Sequence, residues 1–400
     1  MPEGFFSLEK IQTTTSKFSQ KRCPCKLIES CKTQMMKPYG KGRSHILIVG
    51  QAPEEQDDKT GKPFMGRYGQ MVRETLDKID CHLADDCVRT NAVNCRPPDD
   101  REPVALEIDA CRSRVFQTIK QVNPRVIILL GSAAMKSVIL PYWKGSIGEV
   151  DTWRGFQIPC PKLGAYLCPT YHPSFVMREE KGRGTANLLF FQDLKAAFRK
   201  HTEPAPKSLV IEVEQYPNPI KGARALQRWM YESKPNTRVA FDYETTGLKP
   251  HAKGHRVVCM SISDGKRTLA FRYGPAIRDI WNNFLQSDFR KIASNFKFEE
   301  TWSRVFFQTR VRNWYHDTML AAHVLDNRSS ITSIKFQAFV RYGLGNYDQQ
   351  VAPYIESGDK NANAFNRISQ VSTDSLLKYC GYDSFLEWLT ARDQRHEMHA

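Results

Sequence analysis

Four short apolar runs between residue 44 and about residue 200 constrain this chain most. SHILIVG (Ser44–Gly50) and RVIILLG (Arg125–Gly131) are apolar segments closed by glycine, and CVRTNAVN (Cys87–Asn94) and YLCPTYHP (Tyr166–Pro173) are of similar length. Runs this short, bounded by turn formers, read as buried strands. Between them, Gly69–Ile79 and Ala105–Val122 place apolar residues at helical spacing. Strands alternating with helices specify an α/β fold, here a mostly parallel sheet in an α/β/α sandwich. Such sheets bind ligands at the carboxyl ends of their strands, where the polar segments after Val49 and Val93 and around His172 fall.

The pattern breaks at HTEPAPKS (His201–Ser208), a polar, proline-bearing stretch that reads as a linker. The expected organisation is a first domain over 1–200, a linker over 201–207 and a second domain over 208–400. The second opens with strand-like runs SLVIEV, RVAFDYETTG, RVVCMSISDG and RTLAFRY, and from about Pro275 the pattern is helical to the end.

Charge narrows the partners. Lys and Arg number 58 against 43 Asp and Glu, a net charge of +15. Basic side chains gain by displacing counterions from phosphates, so nucleic acid is the expected partner. Eleven cysteines accompany no apolar stretch long enough to cross a membrane. The first residues, MPEGFFSLEKIQTTTSKFSQKRCPC, lack the apolar core of a secretory signal. The expectation is a protein without a membrane partner in a reducing cytoplasm, that of a bacterium or a phage-infected host. Clustered cysteines there read as metal ligands before disulfides.

Cys23, Cys25 and Cys31 lie close together, Cys95 follows a strand pattern and Cys111 lies in a helix pattern. Thiolates from such separated segments suit zinc or a [4Fe–4S] cluster, and spacing alone does not choose between them. Three ordered segments add to this: GQAPEEQDDKTGKPFMGRYG (Gly50–Gly69), TNAVNCRPPDDR (Thr90–Arg101) and PTYHPSFVMR (Pro169–Arg178). Together they resemble the family-4 uracil-DNA glycosylases, whose segments look like GEAPG with G-PFVGRAG, N-VVKCRPP-NR and YHPS-LLR. The resemblance covers roughly Cys23 to Lys200.

That resemblance implies a [4Fe–4S] cluster held by Cys95, Cys111, Cys25 and a fourth cysteine. The fourth is Cys23, one residue closer than the family's C-x-x-C, or alternatively Cys31. It implies that Phe64 stacks on a flipped uracil, that Asn91 reads the uracil edge and that His172 stabilises charge on the departing base. The chemistry agrees: an extruded base needs an aromatic platform and an edge-reading amide, and glycosidic cleavage builds negative charge on the base. The first motif departs from the family. Gln51 replaces the carboxylate expected to help activate water, and glutamine is no general base. Glu54 replaces a glycine, bringing bulk and charge to the substrate-binding edge, although Glu54 or Glu55 could supply the missing carboxylate. Uracil excision and uracil recognition without excision both stay open.

In the second domain, Asp242 and Glu244 lie at i and i+2 in FDYETTGLKP, so strand geometry points both to one face. Two aligned carboxylates are costly unless a cation lies between them. In DSLLKYCGYDSFLEWL (Asp374–Leu389), Tyr379 and Asp383 are i, i+4 on a helix. With NFKFE (Asn295–Glu299) and HDTMLAAHVLD (His316–Asp326), these segments resemble the DEDD-type 3′→5′ exonucleases of the tyrosine subclass, the ribonuclease-H-like proofreading domain of family-A DNA polymerases. The resemblance covers about Ser208 to Arg395. It implies that Asp242, Glu244 and Asp383 hold one divalent ion, Mg²⁺ or Mn²⁺, with Asp242 bridging to a second. Tyr379 would orient the attacking water and Leu248 would wedge against the terminal base. Glu299 stands where the family has aspartate, and Asp317 either compensates or caps the following helix.

The expected function is a metal-dependent 3′→5′ exonuclease on single-stranded or frayed DNA ends, preceded by a glycosylase-like domain that meets uracil-containing DNA. This order resembles the front of certain phage DNA polymerases. The chain stops soon after the third exonuclease motif, so a separately encoded family-A polymerase is an expected partner. Alternatives are a 3′→5′ exoribonuclease and a DNA-binding accessory factor with two degenerate sites.

Overall fold

The computed structural model describes residues 23–179, 184–355, 361 and 363–399. Residues 1–22, read above as lacking a secretory signal, lie outside the described residues. No helix among the described residues is long and apolar enough to cross a membrane. The chain divides into two compact units, Met1–Lys207 and Ser208–Ala400.

The first unit runs β1 (Ile46–Gly50), α1 (Glu55–Thr60), α2 (Arg67–Asp77), β2 (Cys87–Asn91), α3 (Ala105–Val122), β3 (Val126–Leu130), α4 (Gly131–Val138), α5 (Val150–Trp153), β4 (Ile158–Cys160), β5 (Ala165–Thr170), α6 (Pro173–Arg178) and α7 (Thr185–Arg199). The sheet order is β2-β1-β3-β5-β4, parallel except where β4 runs against β5. Every residue of β1, β2 and β3 is buried, the mark of strands covered on both faces. Ile46, Ile48, Val126 and Ile128 pack with Val72 and Leu76 of α2 and Phe190 and Leu194 of α7. The apolar runs therefore become strands, but the strands stop early. Gly131 opens α4 at φ +82° instead of ending β3, and Pro173 opens α6, where its fixed φ suits a first helical turn.

The second unit runs β6 (Glu214–Tyr216), α8 (Pro219–Glu232), β7 (Arg238–Thr245), β8 (Val257–Ser263), β9 (Thr268–Arg272), α9 (Pro275–Gln286), β10 (Arg290–Ala293), α10 (Phe296–Phe306), β11 (Trp314–Asp317), α11 (Thr318–Leu325), α12 (Ile334–Tyr342), α13 (Ala352–Ile355) and α14 (Thr373–Met398). Its sheet order is β11-β10-β7-β8-β9-β6. β7 is central, parallel to β10 and antiparallel to β8.

Two expectations are corrected here. The region after Pro275 is not wholly helical, because β10 and β11 extend the sheet beyond β7. Both are four residues long and rich in charged or aromatic residues, so they lack an apolar run. SLVIEV is not a strand. Only Glu214–Tyr216, just beyond it, pairs with β9, while Val213 packs against Gly381 of α14. Val213 answers to packing on α14 rather than to a ladder, and Val210 is exposed.

One face of β7 rests on an aromatic core. The Phe241 ring meets Trp281 and Phe284 edge-on and stacks on Trp314 at 5.4 Å. Trp281 Nε1 donates to Tyr243 Oη at 2.8 Å, and Tyr243 Oη lies 2.8 Å from Ser303 Oγ. Across the other face lies α14, whose Cys380 carbonyl accepts from Ser261 Oγ of β8 at 2.7 Å. The strand that carries Asp242 and Glu244 is thus held from both sides.

Phe241→Ala should lower the stability of the second unit by about 3–5 kcal/mol, because this ring joins three elements and its cavity cannot collapse. Urea unfolding followed by tryptophan fluorescence measures it; a loss below about 1 kcal/mol would contradict the packing described.

Candidate active sites

The parallel strands of the first unit bring their carboxyl ends to one edge. Register pairs Gly50 with Asn91 and Leu130 with Thr170, so the residues following β1, β2, β3 and β5 meet there. Two glycines make the approach possible. A Cβ on Gly50 would lie 2.4 Å from Asn91 Oδ1 and 2.8 Å from Phe64 Cζ. One on Gly131 would lie 2.8 Å from His172 Cβ and 3.6 Å from Gln51 Oε1. Gln51, Phe64, Asn91 and His172 thus gather around two positions that hold no side chain.

They are not equally open. Gln51 and His172 line a cavity of about 440 Å³ together with Pro53, Glu54, Arg67 and Tyr68. Phe64 and Asn91, 7% and 3% exposed, are packed behind it. Phe64 adopts φ +64°, a left-handed conformation that an aromatic residue takes only when its surroundings impose it. Buried Asp57 of α1 imposes it by accepting from Met65 N at 2.6 Å and Gly66 N at 3.3 Å. Arg89 Nε donates to Pro63 O at 3.0 Å from the other side.

His172 caps α6, and its Nδ1 accepts from Ser174 N at 3.2 Å. Burial, aided by Arg178, holds its pKa down to about 4, so the ring is neutral at pH 7. A neutral ring whose Nδ1 accepts carries its proton on Nε2, leaving one N–H donor. Glu54 is pushed the other way, up to about 7, by burial and by Asp57 and Asp100, with Arg67 opposing. Its Oε1 is buried without a hydrogen-bond partner.

The cysteines come from three segments, the loop at residues 23–31 and those holding Cys95 and Cys111. Cys23 Sγ and Cys25 Sγ lie 3.1 Å apart with no disulfide. Cys25 is pushed up to about 12 by burial and by Cys23, with a further push from Cys111. Burial likewise raises Cys95 to about 12, Cys111 to about 11 and Cys31. Cys31 hydrogen-bonds Cys95, and Cys23 bears on both Cys95 and Cys111. Met35 N donates to Cys95 Sγ at 3.3 Å, and the Asn94 backbone bonds Cys111. Buried sulfurs that repel one another as thiolates, with amide N–H groups turned to them, fit a soft cationic centre. Asp58, beside Asp57 on α1, fixes this loop by accepting from Lys32 N at 2.9 Å and Thr33 N at 2.6 Å.

In the second unit the acidic residues come together. Asp242, Glu244 and Cys380 offer ligand atoms within 4.8 Å of one another. Asp242 is pushed up to about 8 by burial and then by Asp383, and Asp383 is raised to about 6 by burial. Glu244 and Glu299 are raised well above the usual carboxylate range, again by burial and then by Asp242. Glu299 is buried and its Oε2 has no hydrogen-bond partner. Tyr379 lies one turn before Asp383 on α14, buried and hydrogen-bonded to it. Such buried repulsion with an orphaned oxygen fits divalent cations bound by oxygen. Leu248 stands apart, 67% exposed in the turn after β7.

Asp317 does not compensate for Glu299. Its carboxylate is committed to four backbone donors, Asn295, Phe296, Met319 and Leu320, at 2.9–3.1 Å, capping α11 and bracing the left-handed turn at Asn295. Sequence reasoning missed four residues of this site. Tyr347 donates to Asp383, and Lys335 draws Asp383 and Glu244 down while paired with Asp348 at 2.7 Å. No motif marks either of them. Cys380 and Glu387 share α14 with Tyr379 and Asp383, and there helical spacing was an available signal.

The uracil DNA glycosylase superfamily matches residues 37–198, and a 3′-5′ exonuclease family matches residues 217–386. A type-4 uracil-DNA glycosylase of Pyrobaculum aerophilum is 34% identical over 147 residues, covering 36% of this chain and 74% of its own length. One from Thermotoga maritima is 33% identical over 162 residues, covering 40% and 79%. A DNA polymerase of Bacillus phage SP01 is 21% identical over 364 residues, which span 82% of this chain and 38% of the polymerase.

Because the folded pKa of Glu54 is raised from 4.5 to about 7, its contribution to stability is lost as pH rises through that window. Glu54→Gln should gain thermal stability over wild type as pH rises from about 5 to about 8. A difference in melting temperature that does not change with pH would contradict the burial of this carboxylate.

Proposed function

Because the chain belongs to the type-4 uracil-DNA glycosylase family through its first unit and carries a 3′–5′ exonuclease domain in its second, we propose that it degrades DNA from 3′ ends and recognises uracil in the same substrate. The observation that carries the nuclease reading is the convergence of Asp242, Glu244, Glu299 and Asp383 with Tyr379 in one buried site with too little positive charge. Asp242, Glu244 and Asp383 would hold Mg²⁺ or Mn²⁺, with Asp242 shared between two ions and Glu299 turned to the second. Bound there, divalent ions would polarise the scissile phosphate and favour hydroxide over water as the attacking species. Tyr379, kept protonated by burial, positions the attacking water through its hydroxyl. Tyr347 and Lys335 fix Asp383. Leu248 is free to wedge against the terminal base.

In the first unit, Asn91 offers an amide to the uracil edge and Phe64 a ring to its face. The Nε2–H of His172 is placed to donate to an oxygen that gains charge as the base departs. Cys25, Cys95 and Cys111, with Cys23 or Cys31, would hold a [4Fe–4S] cluster. Its contribution when bound is structural, a cross-link among three chain segments. A second reading for this unit, uracil recognition without excision, is favoured by Gln51, an amide where the first motif calls for a carboxylate, and by Glu54, whose carboxyl burial holds up to about 7. The collinear match to a phage polymerase supports action beside a DNA polymerase.

The test is a 5′-labelled, uracil-containing DNA strand incubated in Mg²⁺ with wild type and with Asp242→Ala, then treated with alkali. Wild type should give a ladder shortened from the 3′ end, reduced roughly a hundredfold or more in the variant. Alkaline cleavage at uracil with the variant identifies a working glycosylase. Preferential binding of uracil DNA without cleavage identifies a reader. Faster digestion of the matched RNA would overturn the DNA assignment, and DNA binding with no ladder in either metal would overturn the nuclease.

A further inference from the structure

We propose that Glu387 is a fifth carboxylate of the nuclease centre, a ligand for a divalent cation together with Glu299 and Asp242. The inference rests on the reading of the second unit as a metal-dependent nuclease, and it concerns a residue to which the exonuclease resemblance assigns no role.

Position comes first. α14 carries Tyr379, Asp383 and Glu387 at i, i+4 and i+8, so they form a row on one helical face. All three are buried. A glutamate only 2% exposed in the middle of a 26-residue helix is unusual unless something pairs with it.

Its two oxygens differ. Oε1 accepts from Ser294 N at 3.1 Å, at the residue that leads from β10 into Asn295 and α10. Oε2 is buried and has no hydrogen-bond partner. Glu299, on α10, likewise has a buried, unpartnered Oε2. The charges that bear most on Glu387 are Asp242, Glu299 and Asp383, all of them acidic. Each orphaned oxygen therefore faces a neighbourhood that offers it repulsion and no donor.

Charge balance points the same way. Asp242, Glu244, Glu299, Asp383 and Glu387 carry five formal negative charges when ionised. Lys335 bears on this group, but its ammonium is shared with Asp348. Two divalent cations supply four positive charges, which with a share of the Lys335 ammonium offset most of the five. A purely structural role for Glu387 would need only the bond to Ser294 N, which a glutamine makes equally well without burying a charge. The longer arm at Glu299 and the extra carboxylate at Glu387 together make a second, roomier set of ligands around Asp242.

The test titrates Mn²⁺ into the whole chain, freed of loosely held divalent ions, by calorimetry, with the Mn²⁺-induced rise in melting temperature as a second readout. Wild type, Glu387→Gln and Asp242→Asn are compared. Wild type should bind Mn²⁺ in two steps. In Glu387→Gln one step should weaken by about 10–100-fold, and the Mn²⁺-induced thermal shift should shrink. Should Glu387→Gln fail to fold by circular dichroism, Glu387→Asp, with a shorter arm, should show the same weakening. Unchanged affinity in the glutamine variant, within about twofold, overturns the proposal and leaves Glu387 a buried acid whose role is its bond to Ser294 N. If Asp242→Asn loses Mn²⁺ and Glu387→Gln does not, only this inference fails. If wild type binds no Mn²⁺, the nuclease reading fails with it.

Discussion

Both units bury together acidic side chains that would repel one another if ionised, without enough positive charge beside them. In the second unit these are carboxylates on β7, α10 and α14; in the first they are thiols from the loop at residues 23–31 and from the segments holding Cys95 and Cys111. Groups that repel one another do not assemble themselves. A scaffold must hold them, and its stability must come from elsewhere. In the second unit it comes from the aromatic layer beneath β7, where Phe241, Trp281, Phe284 and Tyr243 lock the strand that carries Asp242 and Glu244. Across the opposite face, α14 brings Tyr379, Asp383 and Glu387 to the same place.

In the first unit the equivalent device is small. α1 is a six-residue helix, yet its adjacent carboxylates Asp57 and Asp58 face two different loops. Asp57 holds the Phe64–Gly66 turn, and Asp58 holds Lys32 and Thr33 beside the cysteines. One short helix thereby sets both the strained backbone of Phe64 and the approach of the N-terminal cysteine loop.

Much of this was legible in the sequence because backbone periodicity and local chemistry coincide there. The helix at Ala105–Val122 and the apolar cores of β1, β2 and β3 follow directly from pattern. The glycosylase-like and exonuclease segments were legible as resemblances because their residues are contiguous. What was not legible depends on tertiary packing. β10 and β11 are too short and too polar to announce themselves, and exist because β7 offers an edge. In SLVIEV, Val213 packs on α14 rather than into a ladder, and Val210 is exposed. Tyr347 and Lys335 reach Asp383 from a segment with no motif. Glu387 lies one helical turn beyond Asp383, so spacing was an available signal, but a glutamate on a helix is ordinarily solvated.

The most direct measurement is the metal content of the whole chain purified without oxygen, by elemental analysis with acid-labile sulfide and the visible spectrum. Iron and sulfide at about four each per chain, with broad visible absorbance, is the expected result for buried thiols gathered by a cluster. A protein with no metal at all that folds normally would contradict the view that these groups stand together because a cationic centre joins them, and a colourless protein carrying zinc would contradict the iron–sulfur cluster.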